Sequence, residues 1–214
     1  MSVAAKICGL SSEAAVAAAV EGGAAYVGFV FYPPSPRAVS PVRCGALCAM
    51  VPGGVPRVAL FVDPDDATIA AVLDAAPAID ILQLHGAETP ERVAEARQRF
   101  GRKVMKAVAV AGPDDLAVAA RYEDAADLLL FDAKPPPGAT RPGGNGLAFD
   151  WRLIAGRQWR RPWMLSGGLT AELLPEAVRI SGATIVDVSS GVESRRGVKD
   201  PSKIRAFLTA ARVL

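Results

Sequence analysis

The chain has 214 residues, with 24 Lys and Arg against 22 Asp and Glu, a net charge of +2, and a 51% hydrophobic share beside 21% charged residues. That balance excludes a disordered chain, and dispersed basic residues at so small a net charge give no concentrated face for nucleic acid. Three cysteines, at 8, 44 and 48, are too sparse for a disulfide framework and fit a reducing, cytoplasmic setting, while the longest Ala-rich run, Ala14 to Val20, is far too short to cross a bilayer, so no membrane partner is expected.

Short apolar runs and helical segments alternate from the N-terminus onward. The first predicted strand, Ala4–Cys8, precedes a helix for which Ser11 is the expected N-cap and Gly22-Gly23 the close. The second, Tyr26–Phe31, leads into Tyr32–Ser40 (YPPSPRAVS), where proline forbids helix or central strand and which carries Arg37. Cys44 and Cys48 follow; they lack C-x-x-C spacing and companions, and read as packing residues of the second helix. The third strand, Arg57–Val62, ends at Asp63-Pro64, expected to cap and open a helix, and the fourth, Ile79–Leu84, ends at His85, the only histidine.

Thr89-Pro90 opens the next helix, and Val104–Val108 is the fifth strand. The sixth, Leu128–Asp132, precedes a second long loop, Ala133–Phe149, whose Gly143-Gly144-Asn145-Gly146 run is a candidate for enclosing a ligand. Trp163–Ser166 is the seventh strand, followed by Ser166-Gly167-Gly168 and an expected cap at Thr170. Ile185–Val188 is the eighth, followed by Ser189-Ser190-Gly191, and Asp200-Pro201 opens the last helix.

These strands are rich in Val, Ile, Leu and Phe, as in a parallel sheet buried on both faces. No polar linker divides the chain, so residues 1–214 read as one domain of the α/β class. Eight strands with eight helices point to a closed (β/α)8 TIM barrel; an open dinucleotide-binding sheet would favour G-x-G-x-x-G after an early strand, where this chain has Cys8-Gly9-Leu10. Functional groups of a barrel cluster at the C-terminal ends of its strands.

Those ends carry the chemistry. Lys6 and Cys8 share one face of the first strand, as Leu128, Leu130 and Asp132 share one face of the sixth. If both faces line the barrel, a thiol and a carboxyl converge at its mouth. Lys6 would favour the thiolate, the form that accepts a proton, and desolvation beside Leu130 and Phe131 makes Asp132 a candidate acid. The plainer alternatives are a buried small hydrophobe for Cys8 and a cap or loop hydrogen bond for Asp132. Gly167, Gly168, Ser189, Ser190 and Gly191 stand where barrels bind phosphate, with Gly144 as a further enclosing residue. Arg37, in its proline-stiffened loop, suits capture of a carboxylate. A lone His85 without companions at ligand spacing gives no metal site.

The segments Lys6-Ile7-Cys8-Gly9, GFVFYPPSPR (Gly28–Arg37), LFVD (Leu60–Asp63), QLHG (Gln83–Gly86), LLFDAK (Leu129–Lys134), GGNGLAFDW (Gly143–Trp151), LSGGL (Leu165–Leu169), VDVSSGVE (Val186–Glu193) and the closing GVKDPSKIRAF together resemble the phosphoribosylanthranilate isomerase family. The resemblance implies an Amadori rearrangement of N-(5′-phosphoribosyl)anthranilate to 1-(2-carboxyphenylamino)-1-deoxyribulose 5-phosphate in tryptophan biosynthesis. It implies Cys8 as general base, Asp132 as general acid and Arg37 as the partner of the anthranilate carboxylate. The glycine turns become the phosphate clamp, with His85 and Asp187 lining the site. It also implies no cofactor, a small phosphorylated substrate as the only partner, and a monomer or homodimer. Two alternatives stand beside it. The related aminoaldose isomerase of histidine biosynthesis would pair two aspartates where the first strand here offers Cys8. A silent barrel would bind a phosphorylated ligand without turnover.

Overall fold

In the computed structural model, which describes residues 2–134 and 148–214, eight parallel strands join in sequence order into a closed barrel. They are β1 (Ala4–Cys8), β2 (Tyr26–Val30), β3 (Arg57–Phe61), β4 (Ile81–Leu84), β5 (Lys103–Val110), β6 (Leu128–Ala133), β7 (Trp163–Leu165) and β8 (Ile185–Val188). Pairing of β1 with β8 closes the ring and sets Lys6 opposite Asp187. The predicted strands agree within two residues at every end; β5 runs on to Val110 because its ladder with β6 continues to the pair Val110 and Ala133.

The described helices are α1 (Glu13–Glu21), α2 (Pro41–Cys48), α3 (Asp66–Ala75), α4 (Pro90–Phe100), α5 (Pro113–Ala120), α6 (Leu174–Ser181) and α7 (Pro201–Arg212). Eight were expected. Among the described residues the β6–β7 connection holds only the single 3₁₀ turn Trp151–Leu153, started by the Asp150 carboxylate on the Arg152 N–H. Thr89 and Asp200 cap α4 and α7 as expected. Ser12, not Ser11, caps α1, and Thr170 receives the Leu173 N–H one turn before α6 begins. Asp63 does not cap α3, a task taken by Asp65. Asp63 sits instead at φ +46, in the left-handed region that Asp tolerates better than most residues, and its carboxylate accepts the Ala87 N–H at 2.6 Å.

Strand alternation divides the apolar residues into two layers. Val58, Ile81, Met105, Leu128, Leu130 and Met164 form one cluster inside the barrel. Ile7, Val27, Phe29, Phe61, Leu82 and Phe131 belong to the larger cluster between barrel and helices, which also holds Cys44 and Cys48 of α2. The inner layer stops short of the C-terminal mouth, where buried Lys6, Gln83, Asp132 and Asp187 replace it.

One feature of the β8–α7 connection has no counterpart in the predicted elements. A 3₁₀ turn, Ser190–Val192, runs into a hairpin of β9 (Glu193–Arg195) and β10 (Val198–Lys199), turned by Gly197 at φ +84. No described helix is long and apolar enough to cross a membrane.

Candidate active site

The inward face of β1 presents Lys6 and Cys8, both buried, while the intervening Ile7 faces the helices. Lys6 Nζ donates to Asp187 Oδ1 at 2.8 Å, and Ser166 Oγ donates to Asp187 Oδ2 at 3.0 Å. An ammonium group with no exposed surface survives only with such a partner. Burial works against the Lys6 charge, but the charges of Asp187 and Cys8 outweigh it and raise its pKa. The balance at Cys8 runs differently from the expectation of a thiolate favoured by Lys6. Burial pushes the thiol above its ordinary value; Lys6 pulls it down without prevailing, and Asp187 reinforces the rise. The reason is that Lys6 is already committed to Asp187, so its field at the sulfur is partly cancelled. Gly28 of β2, in register with Cys8, makes the room: a Cβ there would stand 3.2 Å from Cys8 Sγ and 3.3 Å from Lys6 Cε.

Asp132, the penultimate residue of β6, lies on the same inward face as Leu128 and Leu130 and is buried. Its Oδ1 accepts the Ala133 N–H at 2.9 Å, and its Oδ2 lies 3.3 Å from His85 Nε2. Gln83 Nε2, two residues earlier on β4, donates to His85 Nδ1 at 3.0 Å. With Nδ1 accepting, a neutral imidazole carries its proton on Nε2, toward Asp132. Gly167 packs against this corner: a Cβ there would meet Ala133 N at 2.8 Å and Asp132 Oδ1 at 3.1 Å. Its neighbour Ser166 holds Asp187, which holds Lys6 beneath Cys8. The strand ends of β1, β8, β7 and β6 are thus one continuous polar floor.

Around that floor stand the expected anion-binding turns. Gly167 and Gly168 take φ +90 and +65, a backbone course closed to most side chains, and Gly191 lies so near the Leu169 carbonyl that no Cβ fits. Successive turns of this kind can direct N–H groups at an anion. Gly144 lies outside the described residues. Arg37 is buried, not free: Nε and Nη2 donate to the two Glu193 oxygens at 2.6 and 3.0 Å. Nη1 is not among the atoms that bind Glu193. Lys199 Nζ completes the cluster, reaching Glu193 Oε1 at 2.9 Å and Ser189 through its carbonyl at 2.8 Å and Oγ at 3.1 Å.

Sequence reasoning did not single out Glu193, Lys199 or Gln83. The only signal was their place inside the quoted family segments, because the Glu193 to Lys199 stretch has no strand periodicity to announce a hairpin. Taken together, a thiol, a carboxyl held by an imidazole, a buried ammonium and glycine turns suit proton shuttling on a small anionic substrate.

The family model described as N-(5′-phosphoribosyl)anthranilate (PRA) isomerase matches residues 5–210. An N-(5′-phosphoribosyl)anthranilate isomerase of Paracoccus denitrificans is 60% identical, over 99% of this chain and 98% of its own length. The solved phosphoribosyl anthranilate isomerase of Thermotoga maritima superposes with a TM-score of 0.88 at 36% identity, covering 99% of this chain and all of that one. A further phosphoribosyl anthranilate isomerase structure holds reduced 1-(o-carboxyphenylamino)-1-deoxyribulose 5-phosphate and superposes at 0.84, with 34% identity over 99% of this chain and 100% of that one.

Proposed function

The chain belongs to the N-(5′-phosphoribosyl)anthranilate isomerase family, and on that premise we propose that Cys8 is the base and Asp132 the acid of the family's reaction. The activity is isomerisation of N-(5′-phosphoribosyl)anthranilate in tryptophan biosynthesis. Asp132, entering as the carboxylic acid, protonates the furanose ring oxygen; the bond from that oxygen to C1′ breaks, and the anthranilate nitrogen forms an iminium with C1′. The Cys8 thiolate removes the C2′ proton, and the electron pair becomes the C1′=C2′ bond of an enolamine. C1′ then gains a proton and the 2′-hydroxyl loses one, which in sum restores thiolate and carboxylic acid and leaves the ketone. The substrate amine serves as the electron sink, so the scheme calls on no cofactor.

The observation that carries this reading is the unbroken polar floor from Cys8 through Lys6, Asp187, Ser166 and Gly167 to Asp132. It supports the reading by setting Cys8 and Asp132 at one barrel mouth. His85 holds the acid, the Nη1 face of Arg37 takes the anthranilate carboxylate, and Gly167, Gly168, Ser189, Ser190 and Gly191 take the phosphate. The relative that holds the reduced rearranged product supports a ligand of this shape, with a carboxylate at one end and a phosphate at the other. We read residues 1–214 as one catalytic domain, a cytoplasmic monomer or homodimer whose buried free thiols suit a reducing compartment.

The test is turnover of freshly made phosphoribosylanthranilate, followed by loss of its fluorescence. Cys8→Ala and Asp132→Asn should each lower kcat by at least about 10²–10⁴-fold, the usual share of one positioned acid or base, while the reduced product analogue still binds. Unchanged turnover in both variants would reject the assigned roles, and turnover of the histidine-pathway aminoaldose in a parallel arm would widen the substrate range.

A further inference from the structure

The hairpin β9–β10 carries two buried charges, Glu193 and Lys199, to which the proposed scheme gives no proton to carry. Glu193 accepts four donors, Arg37 Nε at 2.6 Å, Arg37 Nη2 at 3.0 Å, Lys199 Nζ at 2.9 Å and the Gly197 N–H at 3.0 Å. Burial alone would raise its pKa; the Arg37 hydrogen bonds and the Lys199 charge reverse that and hold it at about 2. Lys199 turns its remaining protons to the Ser189 carbonyl and hydroxyl. One continuous chain therefore runs from the guanidinium of the second loop to the first residue of the eighth.

Two glycines show how closely these parts are fitted. A Cβ on Gly9, at φ +77, would strike Arg37 Cδ at 2.7 Å and approach Ser189 Oγ at 3.2 Å. A Cβ on Gly197 would stand 2.8 Å from the Pro36 carbonyl, so the hairpin tip is seated against the loop that delivers Arg37. Exposed ion pairs of long side chains hold geometry poorly. Here Arg37, Glu193 and Lys199 are all at least nine-tenths buried, at 4%, 7% and 7% exposure, and every charge has a partner.

We propose that Glu193 and Lys199 are positioning residues that lock the carboxylate subsite at Arg37 to the phosphate turn at Ser189, so that the two anionic ends of the substrate are read at one fixed separation. This rests on the assignment of those two subsites given above. Neither residue touches the reacting atoms. Their effect is that occupation of one subsite stiffens the other, which makes binding of the two anions mutually favourable.

The experiment measures anthranilate and inorganic phosphate as inhibitors and by calorimetry, singly and together, in the wild type, Lys199→Met, Lys199→Arg and Glu193→Gln. In the wild type each anion should tighten the other, within the 5–150-fold span of ordinary site coupling. Lys199→Met and Glu193→Gln should bring that factor to about one and raise KM roughly tenfold; in Glu193→Gln kcat should be little changed, the pattern of lost uniform binding, whereas Lys199→Met also removes a cation that lowers the Cys8 pKa. Lys199→Arg, which keeps the charge, should recover part of the coupling. Wild-type coupling that persists in a folded Lys199→Met, or a loss confined to kcat, would overturn the proposal. Should Lys199→Met fail to fold, the Glu193→Gln and Lys199→Arg measurements carry the same decision. Failure of the catalytic assignment appears separately, in Cys8→Ala and Asp132→Asn, which leave anion binding in place.

Discussion

A thiol sealed beneath a substrate pocket accepts a proton only when its surroundings tolerate the charge. At Cys8 burial raises the pKa, and the neighbouring Lys6, neutralised in large part by Asp187, does not bring it back. The thiolate population therefore grows as pH climbs through a value above the ordinary thiol range near 8.5. If Cys8 is the base, kcat/KM, which reports the free enzyme, should still be rising with pH beyond that point. Lys6→Met should move the limb further upward, since it removes the stronger of the two cations, Lys6 and Lys199, that oppose burial. A rising limb centred below the ordinary thiol value would exclude Cys8 as the titrating base. His85 depends in the same way on its surroundings. Alone in sequence it has no evident task, and only the neighbours that Gln83 and Asp132 provide, at 3.0 and 3.3 Å, give its ring an orientation.

At the level of elements, the β4–α4 loop that bears His85 is tied down by a buried ion pair. Lys106 of β5 donates to Glu88 at 2.8 Å and to the Gly86 carbonyl at 2.7 Å, while Glu88 accepts the Asp63 and Gly86 N–H groups. Both side chains are almost wholly buried. Removing one partner strands the other charge in the interior, a loss of about 3–5 kcal/mol. Lys106→Met should thus lower the urea midpoint by that amount of stability, and proteolysis should begin in the segment between β4 and α4. A variant within about 0.5 kcal/mol of wild type, the range of plain surface changes, would show the pair to be dispensable. Some of these connections were readable in advance and others were not. Thr89-Pro90 and Asp200-Pro201 announced α4 and α7 because a cap is a local hydrogen bond. Asp63-Pro64 carried the same signal but lost to a contact with Ala87, which lies across a neighbouring loop.

For the whole molecule, the acid limb of stability follows from buried carboxylates that hold their charge to lower pH in the folded state than in the unfolded one. Glu193 is the clearest, with a pKa held at about 2 against an ordinary 4.5. A depressed folded value means that its stabilisation is complete above the unfolded pKa and disappears as pH falls from about 4.5 toward 2. Acid unfolding followed by circular dichroism should show this limb, and Glu193→Gln should flatten it while lowering stability near neutrality. An unaltered acid limb in that variant would mean that other carboxylates govern it.

The strand count, the order of the elements and the list of reactive strand ends were all contained in the sequence. Hydrophobic alternation, proline and capping side chains act over a few residues and need no tertiary partner. The 3₁₀ turn at Trp151–Leu153, the hairpin after β8 and the sign of the Cys8 shift were not so contained. Arg37 and Glu193 meet across 156 residues, and Lys6 and Asp187 across 181. Barrel closure alone sets those charges together, and an electrostatic environment is a sum over neighbours in space, which no local pattern along the chain encodes.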